Sequence, residues 1–212
     1  PILEALMKRV KALGRTPSPH HTLLVGPRGA GKTHLISLVY HRCKSLGKTG
    51  DGKPLRIAWL PEDPWTLVSY GRLLAAILER VVPDFDNQKI AEPELDAHIR
   101  HTSREDGPIL VLAENLDQIL EALGDSGQQK LRNLLQTEPD ILVIATTTRL
   151  DRSLSAHAAP FFGFFDTIRL DPFSPEEARE MLTTLAREAN NSELAKRLSD
   201  NESLARIHTI AH

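Results

Sequence analysis

The chain has 212 residues, 41% of them apolar, which suffices for a full hydrophobic core in one large or two small domains. A formal net charge of −2, with acids and bases interspersed, excludes a global basic field for nucleic acid, although not a local DNA-contacting patch. No run of about 18 apolar residues occurs, which excludes a membrane-spanning helix.

From the N-terminus, Ile2, Leu3, Leu6, Met7, Val10 and Leu13 recur at helical spacing, and Gly14 supplies a stop. A proline-containing linker, residues 15–21, leads to the strand Thr22–Val25, a glycine-rich loop and a helix to about Leu46. Cys43, the single cysteine, lies on that helix; it excludes an internal disulfide, fits a reducing cytoplasm and reads as a packing residue. No signal-peptide pattern precedes these elements, and a chain that starts at Pro1 is expected to be a trimmed piece.

After the exposed loop 47–54, Leu55–Leu60 reads as a second strand, closed by Pro61 and Pro64. Ser69–Val82 puts Leu73, Leu74, Ile77, Leu78 and Val81 on one helical face, and Glu92–Glu105 is a more polar helix. Ile109–Ala113 and Ile141–Thr146 are near-continuous apolar runs, the pattern of strands buried on both faces. Between them a helix follows the first run, and Ser126–Thr137 carries a second helical face with Leu131, Leu134 and Leu135. Asp166–Leu170 is a short last strand.

Apolar strands alternating with helices predict an α/β fold, a parallel five-stranded sheet sandwiched by helices. From Ser174 the strands stop, and Ser174–Pro175–Glu176–Glu177 has the order of a capping box. The expected division is an α/β core over residues 1–171 and a partial helical lid over 172–212, cut short at His212.

The chemistry-bearing stretch is Gly26–Pro27–Arg28–Gly29–Ala30–Gly31–Lys32–Thr33, followed by His34. It matches G-x-x-x-x-G-K-T between a buried strand and a helix, the context of a phosphate-binding loop. Glycines allow backbone N–H groups to turn inward on a phosphate, and the helix adds the positive end of its dipole. Lys32 can reach the β- and γ-phosphates, and the Thr33 hydroxyl can ligate Mg²⁺.

With this loop, the acidic strand end in Ile109–Leu120 (ILVLAENLDQIL), the polar strand end after Ile144 and the helical lid, the chain resembles the AAA+ and STAND-type ATPases. Within that group the replication-initiator and STAND-like branches fit best. The resemblance implies the sheet order 5-1-4-3-2, ATP and Mg²⁺ as ligands, and a nucleotide-dependent switch with slow hydrolysis. A DNA-remodelling, transposition or initiator-type ATPase and an inactive, nucleotide-stabilised scaffold are the alternatives. The absence of N-K-x-D, which reads guanine, fits ATP.

Residue roles follow from the register of the D-E-x-D signature. One register sets Glu114–Asn115–Leu116–Asp117 on it, with Glu114 as the Mg²⁺-side acid and Asn115 where a water-activating glutamate is usual. An amide cannot take a proton from water, so turnover is slow. The other register sets Ala113–Glu114 on the acidic pair, which makes Glu114 the base and removes the metal-side acid. Asp117 could partly restore the chemistry in either case. By the same resemblance Thr148 falls on the polar sensor of the γ-phosphate. No arginine stands in residues 160–166, where ring-forming relatives carry a finger; Arg149 and Arg152 are the nearby substitutes.

Other groups read as structural. The nine histidines form no zinc-like cluster with cysteine or acid, and H-E-x-x-H is absent. The four phenylalanines Phe161, Phe162, Phe164 and Phe165 are expected to anchor the core, and Trp59 and Trp65 to pack rather than wall a ligand. A partner domain or protein, DNA contacts through parts outside this chain, and the oligomeric state stay open.

Overall fold

A computed structural model describes residues 2–60, 67–86, 90–150, 154, 156–157, 159–172, 174, 176–177, 179 and 183. Its elements in chain order are α1 (Ile2–Ala12), β1 (Thr22–Val25), α2 (Lys32–Leu46), β2 (Arg56–Trp59) and α3 (Tyr70–Val81). They continue with α4 (Glu92–His101), β3 (Ile109–Ala113), α5 (Leu116–Thr137), β4 (Ile141–Thr147) and β5 (Asp166–Arg169).

The five strands form one sheet in the order β2-β3-β4-β1-β5, with every neighbouring pair parallel. That is the expected 5-1-4-3-2 order. Side chains alternate between its two faces, as the two-residue strand period requires. Leu24, Leu110, Leu112, Leu142 and Ile144 pack with Leu6, Met7 and Val10 of α1 and Ile36, Val39 and Cys43 of α2. Leu23, Ile109, Val111, Ala113, Ile141, Val143 and Ala145 pack on the opposite face with α3, α4 and α5. The apolar runs of β3 and β4 thus arise from burial on both sides. The sheet and its flanking helices form one compact unit.

The ends of the helices show where local sequence rules acted. Ser69 caps α3, its hydroxyl accepting the Arg72 N–H at 3.3 Å. The helix expected over Glu92–Glu105 is α-helical only to His101 and continues as a π-helical turn, Thr102–Asp106. Gly107 ends it at φ +130°, where a Cβ would stand 2.2 Å from the Pro54 carbonyl oxygen. Only glycine fits so close to another backbone. The two helical faces expected between β3 and β4 lie on one element, α5, interrupted at Gly124 with φ 60° and ψ 177°.

Beyond the sheet, the capping box is formed. The Glu177 N–H donates to Ser174 Oγ at 3.2 Å, and the Ser174 N–H donates to Glu177 Oε2 at 2.8 Å. Most of the lid expected over 172–212, like Arg152 and Trp65, lies outside the described residues. Among the described residues no helix is long and apolar enough to cross a membrane.

Candidate nucleotide site

Parallel pairing brings the carboxyl ends of β1, β3 and β4 to one edge of the sheet, the usual place for ligands in open α/β folds. Val25, the last residue of β1, is in register with Thr147 at the end of β4, and the Gly26 N–H donates to the Thr147 carbonyl at 3.3 Å. Beyond it, Gly29 and Gly31 adopt φ of +80° and +78°, left-handed geometry that glycine reaches without steric cost. The Ala30 N–H donates to the Pro27 carbonyl at 3.3 Å, and Pro27, Arg28 and Gly29 are exposed.

Helix α2 starts at Lys32 with no acidic residue of its own in its first turn, which leaves the positive end of its dipole to groups from other elements. Lys32 is buried, and its Nζ donates to the Gly26 carbonyl at 2.6 Å. Thr33 and His34 are exposed. The Thr33 hydroxyl donates to Glu114 Oε2 at 2.5 Å, joining two residues 81 positions apart.

Glu114 follows β3 directly and is only 5% exposed. Its other oxygen, Oε1, accepts the Trp59 indole N–H at 3.3 Å. Asn115 makes the turn into α5 in left-handed conformation, φ 51° and ψ 51°. Its N–H donates to Thr146 Oγ1 at 3.3 Å, and its carbonyl accepts the N–H groups of Gln118 and Ile119. Asp117 lies in the first turn of α5, with Oδ1 buried and unpaired among the described residues.

The sensor position, Thr148, is exposed and stands just past the end of β4. The hydroxyl that meets the turn after β3 belongs instead to Thr146, which the sequence did not single out. Arg149 is also exposed. Trp59, expected to pack, touches Glu114 as well; its place at the end of a strand bordering β3 was the available signal. Of the four phenylalanines, Phe161 is buried, Phe164 and Phe165 pack on the core, and Phe162 is 40% exposed.

These groups fit Mg²⁺ with a polyphosphate. A hydroxyl and a carboxylate oxygen in mutual contact suit a hard cation that takes its other ligands from water and phosphate. A lysine amine and a helix N-terminus supply the positive charge that phosphate needs.

No protein-family profile matches the chain, and no curated protein matches it in sequence. Solved structures do. The Aeropyrum pernix ORC2 protein in ADPNP–ADP complexes superposes with a TM-score of 0.72 over 88% of this chain and 51% of that one, at 14% identity. The Aeropyrum pernix ORC1 protein in complex with DNA gives 0.64 over 88% and 48%, at 18% identity. The fold is of the AAA+ P-loop type. Drosophila ORC bound to DNA shares this AAA+ fold, with a TM-score of 0.64 over 94% of this chain and 51% of that one, at 18% identity. The chain therefore spans about half the length of these AAA+ neighbours, and at such identities the likeness is one of fold.

Proposed function

We propose that the chain is the nucleotide-binding module of an AAA+ switch of replication-initiator type, which binds Mg·ATP and hydrolyses it slowly. The observation that carries this is the pairing of Thr33 with Glu114 at the start of α2 and the end of β3. It supports the register in which Glu114 is the metal-side acid and Asn115 takes the position of the water-activating base.

In this reading Gly26–His34 hold the phosphates, with backbone N–H groups of the loop and the Lys32 amine directed at them. Thr33 and Glu114 would hold Mg²⁺, which would supply positive charge to offset that of the phosphates. The Lys32 amine exchanges the Gly26 carbonyl for a phosphate oxygen. Asn115 can orient a water through its amide but cannot accept its proton, so the general-base contribution, about 10²- to 10⁴-fold, is missing. Asp117, in the first turn of α5, is the alternative carboxylate, and Thr148 is the γ-phosphate sensor. ATP then persists long enough to hold one state of a two-state element, and slow hydrolysis resets it.

Steady-state hydrolysis measured beside ATP and ADP affinity tests this in the wild type, Asn115→Glu and Glu114→Gln. Tight binding with little turnover, raised at least tenfold by Asn115→Glu, is expected. Fast wild-type turnover abolished by Glu114→Gln would make Glu114 the base instead. No binding of either nucleotide would end the proposal.

A DNA-associated role is the second reading, favoured by the fold shared with ORC proteins in complex with DNA. With a net charge of −2 the affinity would have to come from a local patch. Binding of duplex DNA that falls steeply with salt supports it; no binding at low salt removes it for this chain.

A further inference from the structure

Glu114 has two carboxylate oxygens, and each has its own donor: Thr33 Oγ1 on Oε2 and the Trp59 indole N–H on Oε1. A carboxylate held at one oxygen can still swing about its Cγ–Cδ bond; held at both, it presents a fixed edge. Resting on the nucleotide-binding reading above, we infer that Trp59 is a positioning residue, whose indole N–H turns Oε2 of Glu114 toward Thr33, the residue with which it would hold the metal.

The strand register makes this contact. β2 and β3 run parallel with Trp59 opposite Leu112, and the Leu60 N–H donates to the Leu112 carbonyl at 2.9 Å. Glu114 lies two residues beyond Leu112, on the side where the indole reaches out. The indole is itself braced. The Tyr40 ring of α2 packs on it at 5.0 Å between centroids, tilted by 51°. The Arg80 guanidinium of α3 donates to the Trp59 carbonyl at 2.7 Å and to the Ala76 carbonyl at 2.6 Å. Trp59 thus connects the helix carrying Lys32 and Thr33, the helix α3 and the acid at the end of β3. A packing role alone would need its ring; positioning needs its N–H.

Trp59→Phe separates the two, because it keeps an aromatic ring against Tyr40 and removes the donor. ATP affinity is measured by calorimetry with Mg²⁺ and with the metal chelated, for the wild type, Trp59→Phe, Glu114→Ala and the double variant. The expected result is a loss of about tenfold in Mg·ATP affinity for Trp59→Phe, the scale of one hydrogen bond to a charged group. Metal-free ATP affinity stays the same, and Trp59→Phe causes no further loss once Glu114 is alanine. Equal losses with and without Mg²⁺, no loss, or an undiminished loss in the Glu114→Ala background each overturn the inference.

If Trp59→Phe does not fold, Trp65→Phe leaves Trp59 as the only tryptophan. Its emission should then change on ATP addition only with Mg²⁺ and only when Glu114 is intact; emission indifferent to Mg²⁺ overturns the inference. Wild type that binds no ATP overturns the nucleotide reading and this inference together. ATP binding that responds to Mg²⁺ but not to Trp59 overturns this inference alone.

Discussion

His21, the residue before β1, is 5% exposed and takes the place of a backbone acceptor: its Nδ1 accepts the Val143 N–H at 3.1 Å. Phe164 stacks on its ring at 5.0 Å. Burial, opposed by a backbone hydrogen bond and by Asp166, brings its pKa down from 6.5 to about 4. The neutral form is the folded form, so its contribution is complete above pH 6.5 and is lost as pH falls toward about 4. Urea unfolding across this range should show a loss of about 3 kcal/mol from this group. His21→Phe should cost about 1–3 kcal/mol at neutral pH by leaving the Val143 N–H unpaired, and should flatten the acid limb. Asn115 carries a second residue-scale prediction. Its left-handed backbone suits asparagine better than glutamate, so Asn115→Glu should raise turnover yet lower stability by about 1 kcal/mol, whereas Asn115→Gly should leave stability nearly unchanged. Cys43, buried against Met7 and with its thiol pushed up to about 11 by burial, should resist thiol reagents until the protein unfolds.

At the scale of elements, α4, its π-helical turn and the end of α5 meet in one ionic cluster. Glu138 has no exposed side-chain surface, and its Oε1 accepts from Arg100 at 2.7 Å and from Arg104 at 2.6 Å. Arg104 also donates to Oε2 at 2.8 Å. Asp96 holds Arg100 from one turn earlier and accepts the Tyr70 hydroxyl of α3. The wider turn after His101 coincides with Arg104 reaching Glu138, an arrangement no helical periodicity announces. Arg100→Met should destabilise by about 2–4 kcal/mol in a denaturant titration, because it leaves a buried carboxylate with one partner fewer. In α5, a Cβ at Gly124 would meet nothing within 4 Å, but its φ of 60° with ψ of 177° belongs to glycine. Gly124→Ala should therefore cost about 1–3 kcal/mol without any clash, and hydrogen exchange in the first half of α5 should rise.

For the whole molecule, the proposed nucleotide binding would be linked to stability. A ligand that binds only the folded chain stabilises it by about 2.7 kcal/mol at a hundred times its Kd. For a chain of this size that corresponds to a rise in Tm of about 5–10 °C. Melting with saturating Mg·ATP should show this rise in the wild type and lose it in Lys32→Ala, whose missing amine removes the positive charge buried at the start of α2.

Much of this protein is written locally. The bounds of β1 and β3 follow from apolar runs that end at Gly26 and Glu114, and the doubly buried β3 and β4 announce a parallel sheet before any contact is seen. The glycine-rich loop Gly26–Thr33 is likewise a local object, since glycine placement and the strand–helix context are properties of adjacent residues. The Ser174–Glu177 capping box formed for the same reason. What only tertiary structure decided is which distant groups share an edge. The parallel register carries Trp59 to Glu114, α2 brings Thr33 to the same carboxylate, and β4 offers Thr146 to the Asn115 N–H. Each of these contacts spans at least 31 positions; Thr33, Glu114 and Asn115 could be named from motifs but not paired, and Trp59 and Thr146 stand in the sequence only as strand-end residues. Periodicity reports which face of an element is buried; it holds no information on how far one strand is shifted along its neighbour, and that shift determines the site.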